Sequence, residues 1–201
     1  MKGTVTLLVT GGIGCGKSNI VKALGSLGLP SYDCDAAAKR LYDTDARLLA
    51  QVASVAGGDV VRGGRLDRKA LAAKIFADAS LLARIEALVH PAVIRDFLRW
   101  KEACKAPICI IESAILLENS SFDSLYDFVL AVSAPLEMRI ERTMARDGAS
   151  REGVLERMSR QWTDAARESR ADFIIVTDDR HPILPELINI VEKIKNGKDR
   201  S

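Results

Sequence analysis

Three observations predict an α/β fold built on a central, mainly parallel sheet. Short β-branched runs alternate with segments of helical period along the whole 201-residue chain. The first run leads straight into a glycine-rich loop, GGIGCGKS at residues 11–18, and from there into a helix. Composition supplies the third: 48% hydrophobic and 28% charged residues describe a chain able to bury a real core as one domain.

Thr4 to Thr10 is almost continuously apolar or β-branched, the pattern of a strand buried on both faces. After the loop, Ser18 to Leu27 has apolar residues at Ile20, Val21, Leu24 and Leu27, a helical spacing closed by Gly25 and Gly28. Leu29 to Tyr32 predicts a short strand ended by Asp33-Cys34-Asp35, and Ala36 to Tyr42 starts a helix. Ala56-Gly57-Gly58-Asp59 and Arg62-Gly63-Gly64-Arg65 are turn-rich breaks, and Leu66 to Trp100 is helical in period, with His90-Pro91 at a helix start. Ile108 to Ile111 and Phe128 to Val132 predict two more buried strands, the first running into Glu112. Leu136 to Arg146 is an arginine-rich helix, Ser150 to Ser169 a further helix, Phe173 to Val176 the last strand and Ile183 to Lys195 the closing helix. The tail from Asn196 to Ser201 is polar.

Several function classes lose support at once. A net charge of +2 does not announce a nucleic-acid binder. No stretch of about 18 apolar residues exists to span a membrane, and the start of the chain lacks a signal-peptide pattern. Cys15, Cys34, Cys104 and Cys109 form no CxxC pair and no zinc-spaced cluster, so they are expected as reduced thiols of a cytoplasmic protein.

Gly11, Gly16, Lys17 and Ser18 fit G-x-x-x-x-G-K-[ST], the P-loop. Four glycines let successive N–H groups turn inward as an anion nest, and the following helix adds its N-terminal dipole. Lys17 neutralises charge between the outer phosphates, and the Ser18 hydroxyl suits Mg²⁺. The predicted nucleotide-binding residues are therefore Gly12, Ile13, Gly14, Cys15, Gly16, Lys17, Ser18 and Asn19. A carboxylate after the second strand falls on the same sheet edge, where it can accept a proton from an attacking hydroxyl; Asp33 and Asp35 stand there. Each also has a plainer use, Asp35 as a helix cap and Asp33 as the close of a turn. Arg139, Arg142 and Arg146 share one helix face, either as its wet side or as cations that meet γ-phosphate oxygens.

The stretch "VTGGIGCGKS" with "LGLPSYDCDAAAKRLY" resembles the opening of the dephospho-CoA kinase family, whose loop is followed by a strand ending in D-A-D. "GRLDRKALAAKIF", "LVHPAV", "ESAILLEN", "ERTMARDGASREGVLERMSRQ" and "ADFIIVTDD" continue the likeness, which covers residues 5 to about 178. The resemblance implies transfer of the ATP γ-phosphate to the ribose 3′-hydroxyl of dephospho-CoA, the last step of coenzyme A biosynthesis, with ATP and Mg²⁺ as cofactors. It implies Asp35 as general base, Lys17 and Arg142 as further catalytic groups, and Arg142 and Arg146 in a lid. Thr10, Asp33 and His90 join Asp35 on the acceptor side, and Gln161 falls near the adenine. Arg65 and Arg68 are equally acceptor contacts or solvated surface.

The implied architecture is the three-layer P-loop fold in three parts. These are a core (about 1–56, 104–138 and 171–201), a helical acceptor-binding insert (about 57–103) and a short helical lid (about 139–170). The implied partners are small molecules, with no nucleic acid and no membrane; oligomeric state stays open. The sequence departs from the family pattern at Cys15, Asn19, Ser113-Ala114-Ile115 and the VTDD ending. A nucleoside monophosphate kinase would share the loop and an arginine lid but not the D-x-D and H-P elements together. A nucleotide-dependent switch of the GTPase type would want N-K-x-D, and Asn196-Gly197-Lys198-Asp199 has the wrong order.

Overall fold

A computed structural model describes residues 3–197. In chain order its elements are β1 (Val5–Thr10), α1 (Lys17–Ser26), β2 (Ser31–Asp33), α2 (Cys34–Thr44) and α3 (Ala46–Ala56). There follow β3 (Val61–Arg62), β4 (Arg65–Leu66), α4 (Arg68–Ala77), α5 (Ala79–Ala103), β5 (Ile108–Glu112) and β6 (Phe128–Ser133). The chain closes with α6 (Leu136–Asp147), α7 (Arg151–Ser159), α8 (Asp164–Glu168), β7 (Phe173–Val176) and α9 (Ile183–Gly197). The chain divides into two compact units, one made of the residues up to Tyr32 and those from Cys104 on, the other of Asp33–Ala103.

The first unit is organised by a five-stranded sheet in the order β2-β5-β1-β6-β7. β1 pairs in parallel with both β5 and β6, and β6 with β7. Every β1 residue is buried, as a nearly continuous apolar run requires of a strand covered on both faces. Val5, Leu7 and Val9 share one face with Ile108, Ile110, Leu130, Val132 and Ile175. Ile20, Val21 and Leu24 of α1 and Leu187, Ile190, Val191 and Ile194 of α9 close that core. Each fully buried Leu or Ile there stabilises the fold by about 1.5–3 kcal/mol relative to exposure. The chain runs from β1 out to one edge, returns through β5, and then adds β6 and β7 on the other side. The reversal at β1 opens a crevice at its carboxyl end, where the glycine loop begins.

The second unit is helical, with a small antiparallel hairpin of β3 and β4. The pair Gly63-Gly64 turns it with positive φ at both residues (57° and 76°), the two-residue turn that glycines allow. Asp45 Oδ1 accepts the Leu48 amide to start α3, and Asp67 caps α4 by accepting from Lys69 and Ala70. Leu81, Ile85, Val89, Ala92, Val93 and Phe97 form the buried stripe of α5.

Four boundaries differ from the sequence expectation. Residues 33–56 cluster with the helical unit rather than with the core, because α2 and α3 pack on α5. His90-Pro91 lies inside the 25-residue α5, not at a helix start; the flanking apolar stripe carries the helix through Pro91, whose missing N–H leaves the Ala87 carbonyl without its helical donor. α3 stands where no element was expected, on apolar positions Leu48, Val52 and Ala56. The expected helix over 150–169 is two helices, since the Thr163 hydroxyl accepts from Ala166 and starts α8 afresh.

Candidate functional site

The P-loop joins β1 to α1, and five of its carbonyls are engaged. Gly11 O accepts from Lys17 Nζ (2.9 Å), Gly12 O from the Cys15 amide, Ile13 O from Arg139 Nε (3.0 Å). Cys15 O accepts from Thr177 Oγ1 (2.7 Å), and Gly16 O from the Asn19 and Ile20 amides. The N–H groups of Gly14, Gly16, Lys17 and Ser18 have no partner among the described residues. Four free amides on one tight loop at a helix N-terminus form an anion nest. Gly14 (φ +77°) cannot be replaced without cost: an added Cβ would stand 2.3 Å from the Arg139 carbonyl oxygen. At Gly12 the obstacle is the Arg139 guanidinium, with Nη2 at 2.1 Å.

Ser18 donates its hydroxyl to Glu112 Oε1, 3.2 Å away, at the end of β5. This pair offers oxygen atoms only, which fits Mg²⁺: the ion takes one or two protein oxygens and completes its shell with water and phosphate. Among the described residues no group of three or more His, Cys, Asp or Glu could hold a metal unaided. Thr10 is fully buried at the end of β1, and its Oγ1 has no hydrogen-bond partner among the described residues. Cys15 is buried, and no disulfide joins any of the four cysteines among the described residues.

The arginine helix α6 does not present a uniform wet face. Arg139 is only 7% exposed; besides Ile13 O it pairs with Asp164. Arg142 donates to Thr177 Oγ1 (2.9 Å) and forms an ion pair with Asp179 (2.9 Å), a residue held at φ 59°. Arg146 pairs with Asp147, which Arg157 of α7 also reaches at 2.7 Å. The two guanidinium groups hold the Asp147 carboxyl well below the usual carboxylate range. Gln161, expected near the adenine, accepts the Ile13 amide on its Oε1 at 2.9 Å. Behind it Arg167, 1% exposed, donates to Glu118 Oε1 (2.9 Å) and to the Trp162 carbonyl (2.6 Å).

In the helical unit, Asp33 takes the capping role: its Oδ1 accepts the Ala36 amide at 2.9 Å and α2 begins at Cys34. Asp35, in the first turn, is exposed and its carboxylate has no partner among the described residues. The capping alternative for Asp35 is thereby excluded. Arg68 donates to the Lys39 carbonyl and to Asp43, tying the start of α4 to α2, while Arg65 lies on β4. Arg40 of α2 pairs with Asp96 of α5, and Asp45, Arg47 and Leu48 share a cavity wall with Ala87, Leu88 and Pro91. The α2–α3 segment thus packs along α5, with Asp35 in the first turn of α2 and His90 inside α5.

Five side chains at the loop escaped the sequence reading or were given another role: Arg139, Gln161, Arg167, Thr177 and Glu112. Their partners lie far away in the chain, so no local pattern marks them. Glu112 alone had a usable signal, as the first charged residue at the end of an apolar strand.

A P-loop at the carboxyl end of a parallel sheet, with a hydroxyl–carboxylate pair beside it and arginines on the next helices, defines a P-loop kinase. The family model described as dephospho-CoA kinase matches residues 5–182. A dephospho-CoA kinase of Porphyromonas gingivalis is 38% identical over 195 residues, 96% of this chain and 96% of that protein. A crystal structure from Thermus thermophilus superposes with a TM-score of 0.82 at 34% identity, covering 98% of each chain. The dephospho-CoA kinase structure from Campylobacter jejuni gives 0.68 at 25% identity, covering 96% of this chain and 98% of that one. The chain belongs to the dephospho-CoA kinase family.

Proposed function

We propose that this protein transfers the γ-phosphate of ATP to the ribose 3′-hydroxyl of dephospho-CoA, giving CoA and ADP. The observation that carries the reading is the nest of four unpartnered amides at Gly14, Gly16, Lys17 and Ser18, closed by the Lys17 ammonium. These groups hold the β- and γ-phosphates, and Lys17 exchanges the Gly11 carbonyl for phosphate oxygen. Ser18 and Glu112 would hold Mg²⁺, which when bound neutralises charge between the outer phosphates.

Asp35 is the general base. Its exposed carboxylate takes the proton of the 3′-hydroxyl as the oxygen–phosphorus bond forms and the bond to ADP breaks. Arg142 leaves Asp179 to meet the charge on the γ-oxygens, and Arg146 serves the same face. Residues 139–170 act as the lid that keeps water from the transferred phosphoryl group, and Asp33–Ala103 binds the acceptor with His90 among its contacts, joined by Thr10 at the end of β1. No helix among the described residues is long and apolar enough to cross a membrane.

The test is ADP release from ATP and Mg²⁺ with dephospho-CoA, AMP, CMP or no acceptor, with the product mass measured alongside. Turnover with dephospho-CoA alone, and a product one phosphate heavier, is the expected result. Turnover with AMP or CMP instead would move the acceptor, and equal slow hydrolysis in every arm would overturn the kinase reading.

A further inference from the structure

The residue at the tip of the loop, Ile13, is gripped on both sides by the segment that follows β6. Its N–H donates to Gln161 Oε1 at 2.9 Å, and its carbonyl accepts from Arg139 Nε at 3.0 Å. These two bonds fix the two peptide planes that flank Ile13, and with them the direction of the Gly14 amide, one of the four free donors. Both anchors are themselves held. Arg139 is buried against Asp164, and its carbonyl receives the Thr143 hydroxyl at 2.7 Å. Gln161 sits between α7 and α8, where Arg167 ties the adjoining Trp162 carbonyl to Glu118.

A glycine-rich loop is otherwise poorly suited to hold a nest. Gly12 and Gly14 have no side chains to restrict them, and a loop that samples many conformations binds phosphate only from the competent fraction. Most of the loop's shape has local support, since Gly12 O to Cys15 N and Gly11 O to Lys17 Nζ lie within it. The tip does not. Its only side-chain anchors among the described residues are Arg139 and Gln161, at 126 and 148 positions' remove.

We infer that Gln161 and Arg139 are positioning residues for nucleotide binding, acting through the Ile13 backbone to keep the Gly14 amide aimed into the nest. This rests on the ATP-dependent reading above and adds to it two residues that touch the loop rather than the nucleotide. Preorganisation of this kind serves substrate and transition state alike, so its loss raises the nucleotide KM and leaves kcat in place.

The experiment compares wild type, Gln161→Met, Arg139→Lys and the double variant, all as full chains. Calorimetry gives the ADP affinity, steady-state turnover gives KM for ATP and kcat, and thermal melting gives Tm. Gln161 is half-buried in a turn, so Q161M is expected to melt within about 2 °C of wild type. ADP affinity falls and the ATP KM rises by about 5–10-fold, the loss of one hydrogen bond, while kcat stays within about twofold. Because both side chains act on one residue, the double variant loses less than the product of the two single losses. ADP affinity within about twofold of wild type in Q161M, or losses that multiply in the double variant, would overturn the inference. A fall in kcat with the ATP KM unchanged would overturn it too. A wild-type protein that binds no ADP would overturn the ATP reading itself.

Discussion

Ser18 and Glu112 meet at 3.2 Å between the start of α1 and the end of β5, the hydroxyl donating to the carboxylate. In P-loop proteins this place in the fold usually carries an aspartate at a strand end. Here a glutamate, one methylene longer, reaches the same hydroxyl.

On the reading that Ser18 and Glu112 hold Mg²⁺, removing that carboxylate weakens metal binding rather than the loop. Glu112→Ala is expected to raise the Mg²⁺ concentration for half-maximal turnover by about 10-fold or more, as loss of a metal's supporting partner does. A Mg²⁺ titration at saturating ATP checks this. An unchanged midpoint would remove Glu112 from the metal's surroundings.

The two aspartates after β2 separate cleanly. Asp33→Ala loses a helix cap and should cost about 1 kcal/mol of stability, seen as a lower melting temperature. Asp35→Asn loses no bond, so its melting temperature stays put while turnover falls at least ~100-fold. Near-normal turnover in purified Asp35→Asn would end its role as general base.

Asp147 links the last turn of α6 to α7 through Arg146 and Arg157. Its carboxyl is held below the ordinary range by those two guanidinium groups, so it is the charged form that favours the fold. The contribution is complete above the unfolded value, about pH 4, and disappears as pH falls from there toward the depressed folded value. Wild type and Asp147→Asn should thus differ in melting temperature by a constant amount from pH 7 to about pH 5. The gap should narrow below about pH 4. A gap independent of pH would show that the ion pairs are not its source.

Arg142 is held by Asp179, whose φ of 59° is a conformation glycine adopts freely. Asp179→Gly removes the competing carboxylate and keeps the turn. ATP affinity is expected to rise about 2–5-fold, the scale of an exposed ion pair, with the melting temperature within about 2 °C. Weaker ATP binding in this variant would mean that Asp179 orients Arg142 for the nucleotide instead of restraining it.

What could be read from the sequence was what is local. β1 and its loop announce themselves because six buried residues and a glycine pattern are adjacent in the chain. Leu48, Leu49, Val52 and Ala56 have helical spacing behind the cap Asp45, so α3 was within reach of the same reasoning. The role of Arg139 was not. On its own helix it is one of three arginines on a face, and only Asp164 and Ile13, brought in by the fold, make it an interior residue. The turn that places Gln161 at Ile13 was hidden likewise, since Arg151 to Glu168 is helical in composition and Thr163 alone marks the break.

The helical unit enters the chain after Tyr32 and leaves before Cys104, so it connects β2 to β5, which are neighbours in the sheet. The connection must leave β2 at its carboxyl end and re-enter at the amino end of β5, and the whole helical unit serves as that crossover. That unit is thus a cassette carried by one crossover. A change in its length leaves the pairing of β1 with β5 and β6, and with it the loop between β1 and α1, to the other unit.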